Sequence, residues 1–426
     1  MEIATAQSKN RWFRIPLWQR VLGGLVLGVI VGLVWPSAAP YFAVLGEVFV
    51  RLIRMLVAPI VVVTIAAGIT TLGDPKRLGS VGLRTVLLFF ATTVIAVSLG
   101  MLVGTLLEPG VGANLSSAVP KALGESKSVQ DQLVGIVPLN IFEALAKGDM
   151  LALIFVSVML GVGTVLAGEA GKPLAALLQS ASSVILRIVT IVMEVTPFGV
   201  FALITNSVAT NGAAVFINVG WLAVCVAIGS LVQVVLVHGT LIRFIARLPV
   251  LPFYRGIADA LMVAFSTASS SATLPVAMRA AQEKLGVGRS VYMTVLPLGA
   301  AIGKDGTAMY VGLLSIFSLQ LLGVQLDGGG YAIIVLTATL AAFGTAPVPS
   351  ASLFMLAAVL AAVNVDAAQT ALIVGFILPF DRLLDMTRTV ASASANLAVT
   401  TTVARFENEL DEKIYYDQSI RIQEGP

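Results

Sequence analysis

Asp381, Asp385, Arg388 and Ser392 follow one another at offsets of four, seven and eleven residues inside a largely apolar segment. On an α-helix these offsets share one face, and a face of that polarity in a membrane must look into the protein. The chemistry on offer is charge recognition. A carboxylate is the natural partner of an ammonium group, and a planar guanidinium reads a carboxylate through parallel N–H donors. An Asp385–Arg388 pair satisfied within its own helix is the competing account. It explains how two charges survive in lipid, but not the hydroxyls beside them, Thr387, Thr389, Ser392 and Ser394. A second charged pair, Lys304 and Asp305, sits between charge-free runs of 14 residues (Ser290 to Gly303) and 21 residues (Gly306 to Leu326). At about 1.5 Å of rise per residue both lie near mid-depth of a bilayer. Charges there are costly and mark a substrate or ion path; a structural ion pair with another helix is the alternative.

The composition says what surrounds these groups. Of 426 residues, 58% are hydrophobic and only 12% charged, against about 25% charged in an ordinary soluble domain, so the chain is a membrane protein. Its net charge of +3 comes without a long basic stripe, which excludes nucleic acid as a partner. A single Cys225 excludes an internal disulfide, a Cys-based zinc site and an iron–sulfur cluster, and a single His238 removes most His-dependent metal and acid–base chemistry. No metal or cofactor is expected, and the chain lacks the tools of an enzyme. Cys225 and His238 are read as packing and interface residues of a sixth helix.

Helices of spanning length must position the charges. Lys9, Arg11, Arg14 and Arg20 precede the uncharged run Val21 to Trp35, which has no clear cleavage site before Pro36 and is read as a retained first spanning helix. The charge-free stretches Met55 to Gly73, Thr85 to Leu107 and Leu151 to Gly168, with the longer reach Val195 to Ile242 turning near Asn211, lead to an expectation of six helices by about Ala246. Basic residues at Lys76, Arg77 and Arg84, at Lys172, and at Arg243, Arg247 and Arg255 set both termini in the cytoplasm and the polar connection Glu108 to Lys147 outside. Beyond Ala246 two apolar segments are interrupted, one by Ser266, Thr267, Ser269, Ser270 and Ser271, the other between Phe343 and Ser352. Both read as hairpins that enter the membrane and turn back, which is tolerated only where the turn packs in protein or lines a polar cavity. Two such breaks in corresponding places, each followed by a charge-bearing helix, fit a transporter of inverted repeats with a midplane site.

The segments Ser269 to Pro275 (SSSATLP), Val295 to Tyr310 (VLPLGAAIGKDGTAMY), Gly344 to Pro349 (GTAPVP) and Leu384 to Thr389 (LDMTRT) resemble the signature segments of the glutamate/aspartate transporter family, the dicarboxylate/amino acid:cation symporters. Order and spacing agree across nearly the whole chain. The resemblance implies an all-α membrane protein of eight transmembrane helices plus two re-entrant helical hairpins in inverted repeats, working as an elevator in a homotrimer. Residues 1–80 would then hold helices 1 and 2 on the scaffold side, 81–115 helix 3 of the transport domain, and 116–215 the extracellular loop with helices 4 and 5 of the trimerisation scaffold. Helix 6 would fall in 216–250, hairpin 1 and helix 7 in 251–322, hairpin 2 and helix 8 in 323–404, and a solvated cytoplasmic tail in 405–426.

Carried over residue by residue, the resemblance gives Asp385 the substrate's amino group and Arg388 its side-chain carboxylate. Thr307 and Thr389 match further substrate contacts, and Ser392 shares their face. Ser269, Ser270 and Ser271 match the first hairpin tip, which meets the α-carboxylate, and Val348 matches a backbone contact from the second. Relatives taking neutral amino acids generally differ at Arg388, and those taking dicarboxylates without an amino group differ at Asp385. Having both implies L-aspartate or L-glutamate.

The departures concern coupling. The family's helix 7 motif is typically Asn-Met-Asp-Gly-Thr, whereas Gly303, Lys304, Asp305, Gly306 and Thr307 stand here. Ser392 and Asn396 replace the Asn and Asp usual in sodium-coupled relatives, Phe89 replaces a ligand tyrosine beside Thr92 and Thr93, and Ala301 replaces a threonine. Pro347, Ser350 and Ser352 stand where glycines are usual in the second tip. A fixed ammonium about 5 Å from a sodium ion costs roughly 3 kcal/mol at an effective dielectric near 20, about a hundredfold in affinity. The expectation is therefore a secondary transporter of acidic amino acids in a prokaryotic plasma membrane, not coupled to sodium. Gly303, Lys304, Asp305 and Asn396 form its coupling region, with Lys304 standing in for a cation beside Asp305 or carrying a proton. A sodium-coupled aspartate/glutamate or dicarboxylate symporter with a rearranged site is the alternative within the class, and a substrate-gated anion channel the alternative outside it.

Overall fold

The computed structural model describes residues 15, 17–70, 75–112, 134, 137–147, 150–211, 215–343 and 351–417. Among them the chain is almost wholly helical, and the one strand-like feature is an isolated antiparallel bridge between Val287 and Leu410. Helices α1 (Leu17–Val34), α2 (Ala39–Thr70) and α3 (Pro75–Leu107) open the chain, followed by α4 (Ile141–Lys147), α5 (Met150–Leu166), α6 (Lys172–Met193), α7 (Thr196–Asn211) and α8 (Val215–Val232). Ser80–Leu107 and Val219–Ile245 are each long and apolar enough to cross a membrane, and Gln19–Val34 with Pro36–Phe49 is so as a pair bent by 114°. Helix α2 begins well ahead of the apolar stretch that marks it in the sequence. Its early turns are apolar but carry Glu47, Arg51 and Arg54, and an exposed Arg51–Glu47 pair at 2.6 Å, one turn apart, fits a helix continuing through them.

Small residues decide which helices come close. A Cβ on Gly28 would lie 2.8 Å from the Phe201 carbonyl oxygen, and one on Gly32 2.9 Å from that of Thr205, so α1 lies backbone to backbone on α7. The same device joins α3 to the helix that carries Asp305: a Cβ on Gly104 would meet Ile316 at 2.9 Å, and one on Gly100 would run into the Met309 carbonyl.

The second half is built from broken elements. Helix α9 (Val250–Thr267) ends at Ala268, whose φ of 52° is left-handed, and α10 (Ser270–Glu283) starts at once from Ser269, whose hydroxyl caps the Ala272 N–H. The following element is two half-helices, α11 (Arg289–Ile302) and α12 (Asp305–Leu321), broken at Gly303 and Lys304. Helices α13 (Gly328–Phe343) and α14 (Ala351–Ala362) form a second packed pair. The 40-residue α15 (Ala367–Phe406) packs on α9, α10, α11, α12 and α14.

The tail corrects an expectation. Read as a solvated extension, it instead folds back over its described part, through Asp417: the Gly288 N–H donates to Glu409 and the Asp411 N–H to Gly286, both at 2.7 Å. Short helix α16 (Glu412–Tyr416) buries Tyr415 completely, and its hydroxyl donates to the Pro249 carbonyl at 2.8 Å. Tyr415 is apolar in body and polar at one tip, so it plugs the base of the α9–α10 hairpin.

Candidate functional site

Helix α15 presents Asp381, Asp385, Arg388, Thr389, Ser392, Ser394 and Asn396 to the interior, all buried. The Arg388 guanidinium contacts the Asp385 carboxylate at 2.6 Å, so the structure contains the intrahelical pair. Arg388 also reaches across to α12, where its Nη1 donates to the Thr307 hydroxyl, and it sits 5.6 Å over the Tyr310 ring, a cation–π arrangement. Tyr310 in turn donates to Asp381 at 2.9 Å. Buried Nε of Arg388 has no partner among the described residues. The guanidinium is thus held by a carboxylate, a hydroxyl and a ring, with a donor to spare.

The remaining expected substrate residues fall in four classes. Thr389 donates to its own helix at Asp385, to the carbonyl at 2.7 Å and the carboxylate at 3.4 Å. Ser392 accepts the Gly306 N–H at 3.1 Å, so it caps the N-terminus of half-helix α12. Ser269, Ser270 and Ser271 occupy the first hairpin tip, Ser270 buried and Ser271 exposed, and the bonds of Ser269 are local, to Thr267 and Ala272. Helices α9 and α10 pack on α15. Val348 lies outside the described residues, as do Pro347 and Ser350.

Around the break in the α11–α12 element, backbone carbonyls are covered by protein N–H donors. The Lys304 ammonium, 3% exposed, donates to Ala300 at 2.6 Å. Hydrogen bonding orients the Asn396 amide so that its nitrogen donates to Gly303 at 3.1 Å and Gly299 at 3.2 Å. Gly303 is glycine for want of room, since a Cβ there would strike the Asn396 side chain and the Phe89 ring. Among the described residues no cluster of three or more His, Cys, Asp or Glu is placed to hold a metal ion.

Asp305 is fully buried but not where the sequence reading put its counter-charge. Among the described residues Lys304 makes no ion pair with it. Its Oδ1 accepts from Thr92 at 3.1 Å and Thr93 at 3.2 Å. Its Oδ2 faces Gln233 Nε2 at 3.3 Å and His238 Nε2 at 3.4 Å. His238, read as a packing residue, is a fully buried partner of the charge. The reason it escapes a helical wheel is local winding. Gln233 and His238 are five residues apart, about 140° on an α-helix at 100° per residue, but Gln233–His238 is a π-turn, whose i→i+5 bonding brings them to one side. The available signal was the pair of strongly polar side chains in an otherwise apolar span.

A family model described as "Sodium:dicarboxylate symporter family" matches residues 17–406. The chain belongs to that family. This sodium:dicarboxylate symporter family member is accordingly a multi-pass membrane transporter and not an enzyme. It is 33% identical over 400 residues to the "Proton/sodium-glutamate symport protein" of Bacillus subtilis (strain 168), covering 91% of this chain and 92% of that one. A protein of the same name from Bacillus caldotenax is 33% identical over 408 residues, with 93% and 95% covered. A "C4-dicarboxylate transport protein" of Rhizobium etli is 32% identical over 418 residues, with 96% and 93% covered. Relatives of two substrate types thus lie at nearly equal distance, so the choice between them falls to this family member's own site.

Proposed function

We propose that this chain is a transporter of L-aspartate or L-glutamate across a prokaryotic plasma membrane, built as eight spanning helices plus two re-entrant hairpins, working as a homotrimeric elevator, and not coupled to sodium. The observation that carries the substrate reading is the buried Asp385–Arg388 pair with Thr307 and Tyr310 around it. A zwitterion with a second carboxylate exchanges that one pair for two, its ammonium on Asp385 and its side-chain carboxylate on the planar fork of Arg388. A dicarboxylate without an amino group would instead face Asp385 with like charge, at a cost that a buried site does not screen. Ser269, Ser270 and Ser271 at the first tip and Val348 at the second supply the α-carboxylate and backbone contacts.

What supports the sodium-independent reading is the state of the broken helix. A hard cation needs several oxygen ligands, and the Gly299, Ala300 and Gly303 carbonyls already accept from Asn396 and Lys304. A neutral amide at 396 can donate to carbonyls where a carboxylate would be repelled by them. Uptake of labelled aspartate into proteoliposomes, with succinate as competitor and sodium exchanged for choline, tests both parts. Preference for succinate would remove the amino-acid assignment, and uptake only in sodium would remove the coupling assignment.

A further inference from the structure

Asp305, His238, Gln233 and Ser394 form a cluster that the substrate-reading groups do not use, and all four are fully buried. Gln233 Nε2, His238 Nε2 and Asp305 Oδ2 make a triangle with sides of 3.3, 3.4 and 3.4 Å. On the far side of the imidazole, His238 Nδ1 lies 2.9 Å from Ser394 Oγ. A hydroxyl both donates and accepts, so Ser394 serves the ring in either charge state: it donates to a bare Nδ1 and accepts from a protonated one. Nε2 can meanwhile keep its hydrogen directed at Asp305. The ring can therefore gain or lose a proton without any heavy atom moving, while gaining one places a full positive charge against a carboxylate that has Thr92, Thr93 and Gln233 but, among the described residues, no other cation on it. An isolated buried carboxylate is costly, and imidazole is the side chain whose charge changes near neutral pH.

We propose that this cluster is a proton-binding site: one proton from the solution resides on His238, neutralises Asp305, and travels and leaves with the substrate. Lys304 then covers a carbonyl, and His238 carries the coupling charge. The inference rests on the transport reading above and deepens it. Of the ionisable groups on the packed elements, Lys304 is engaged with Ala300, Arg388 with Asp385 and Thr307, Asp381 with Tyr310, and Arg84 with Glu407, while Arg243 is exposed. Tyr254 donates to the Val234 and Val235 carbonyls of the π-turn itself.

His238 is the one histidine in the sequence, so its ring can be read without assignment. In protein labelled with 15N-histidine, the imidazole signals should pass from neutral to doubly protonated as the pH is lowered. In Asp305→Asn the doubly protonated form should be lost at the pH values where the wild type shows it. A ring that stays neutral throughout, or one indifferent to Asp305→Asn, overturns the proposal. Aspartate titrated calorimetrically in two buffers of different ionisation enthalpy, at a pH where the spectrum shows the free ring neutral, should show about one proton taken up per substrate in the wild type and almost none in His238→Gln. Equal counts in the two proteins also overturn it. Should Asp305→Asn fail to fold, the wild-type spectrum and the His238→Gln count still decide. Absence of any aspartate binding to the wild type would instead defeat the transport reading, while the spectrum alone would still judge the cluster.

Discussion

The side-chain amide nitrogen of Asn396 lies 3.1 Å from the carbonyl oxygen of Gly303 and donates to it. Together with the Lys304–Ala300 bond, this contact fills the end of α11 with N–H donors. Replacing Asn396 by Asp turns a donor into an acceptor facing acceptors. Expected for Asn396→Asp is at least a tenfold loss of aspartate affinity in choline, from an unpaired buried charge costing about 1–3 kcal/mol or more. Part of that loss should be recovered by sodium. Calorimetric titration in the two salts checks it, and an affinity unchanged in choline would show that the amide is not engaged as described.

Arg388→Ala should lower aspartate affinity by about a hundredfold or more, because removing one member of a buried pair leaves the other uncompensated, at about 3–5 kcal/mol. Serine or alanine, with no side-chain carboxylate, should lose much less. Titration of the purified variant with aspartate and with serine separates the two, and an equal loss for both would point to a fold defect rather than to carboxylate reading.

Asp385→Asn probes the other half of the pair. Aspartate should weaken far more than succinate in competition binding, since only aspartate offers an ammonium. Equal losses would leave Asp385 as an internal partner of Arg388 and no more.

How much of this was legible in the sequence differs from residue to residue. The stripe Asp381, Asp385, Arg388 and Ser392 was visible because α15 is a regular helix, where offsets translate directly into a face. The break at Gly303–Lys304 was not marked, although the two charges that flank it were: a half-helix boundary depends on tertiary capping, here by Ser392. His238 was misread because a π-turn changes the angular spacing that a helical wheel assumes. The tail was misread because its docking rests in part on backbone bonds to Gly286 and Gly288, which no side-chain pattern announces, and on one tyrosine, Tyr415.

That docked tail makes a separate prediction. Tyr415→Phe should cost about 1 kcal/mol by losing the bond to Pro249, and Tyr415→Ala about 3–5 kcal/mol by emptying the site. Burial pushes the Tyr415 hydroxyl above its ordinary value, so the folded state favours the neutral form. Its contribution is complete below the unfolded value near 10 and is lost as pH rises beyond it. Thermal unfolding in detergent at pH 7 and at about pH 10.5 should show a smaller alkaline loss in the Phe variant than in the wild type.

The most direct test of a sodium-independent carrier of acidic amino acids is the affinity for aspartate, and its initial uptake rate in proteoliposomes, as external sodium is replaced stepwise by choline at constant pH and ionic strength. With Lys304 and Asn396 covering the α11 carbonyls, both quantities should stay flat, within about twofold, from sodium-free buffer to saturating sodium. An aspartate affinity that rises steeply with sodium would contradict that central claim.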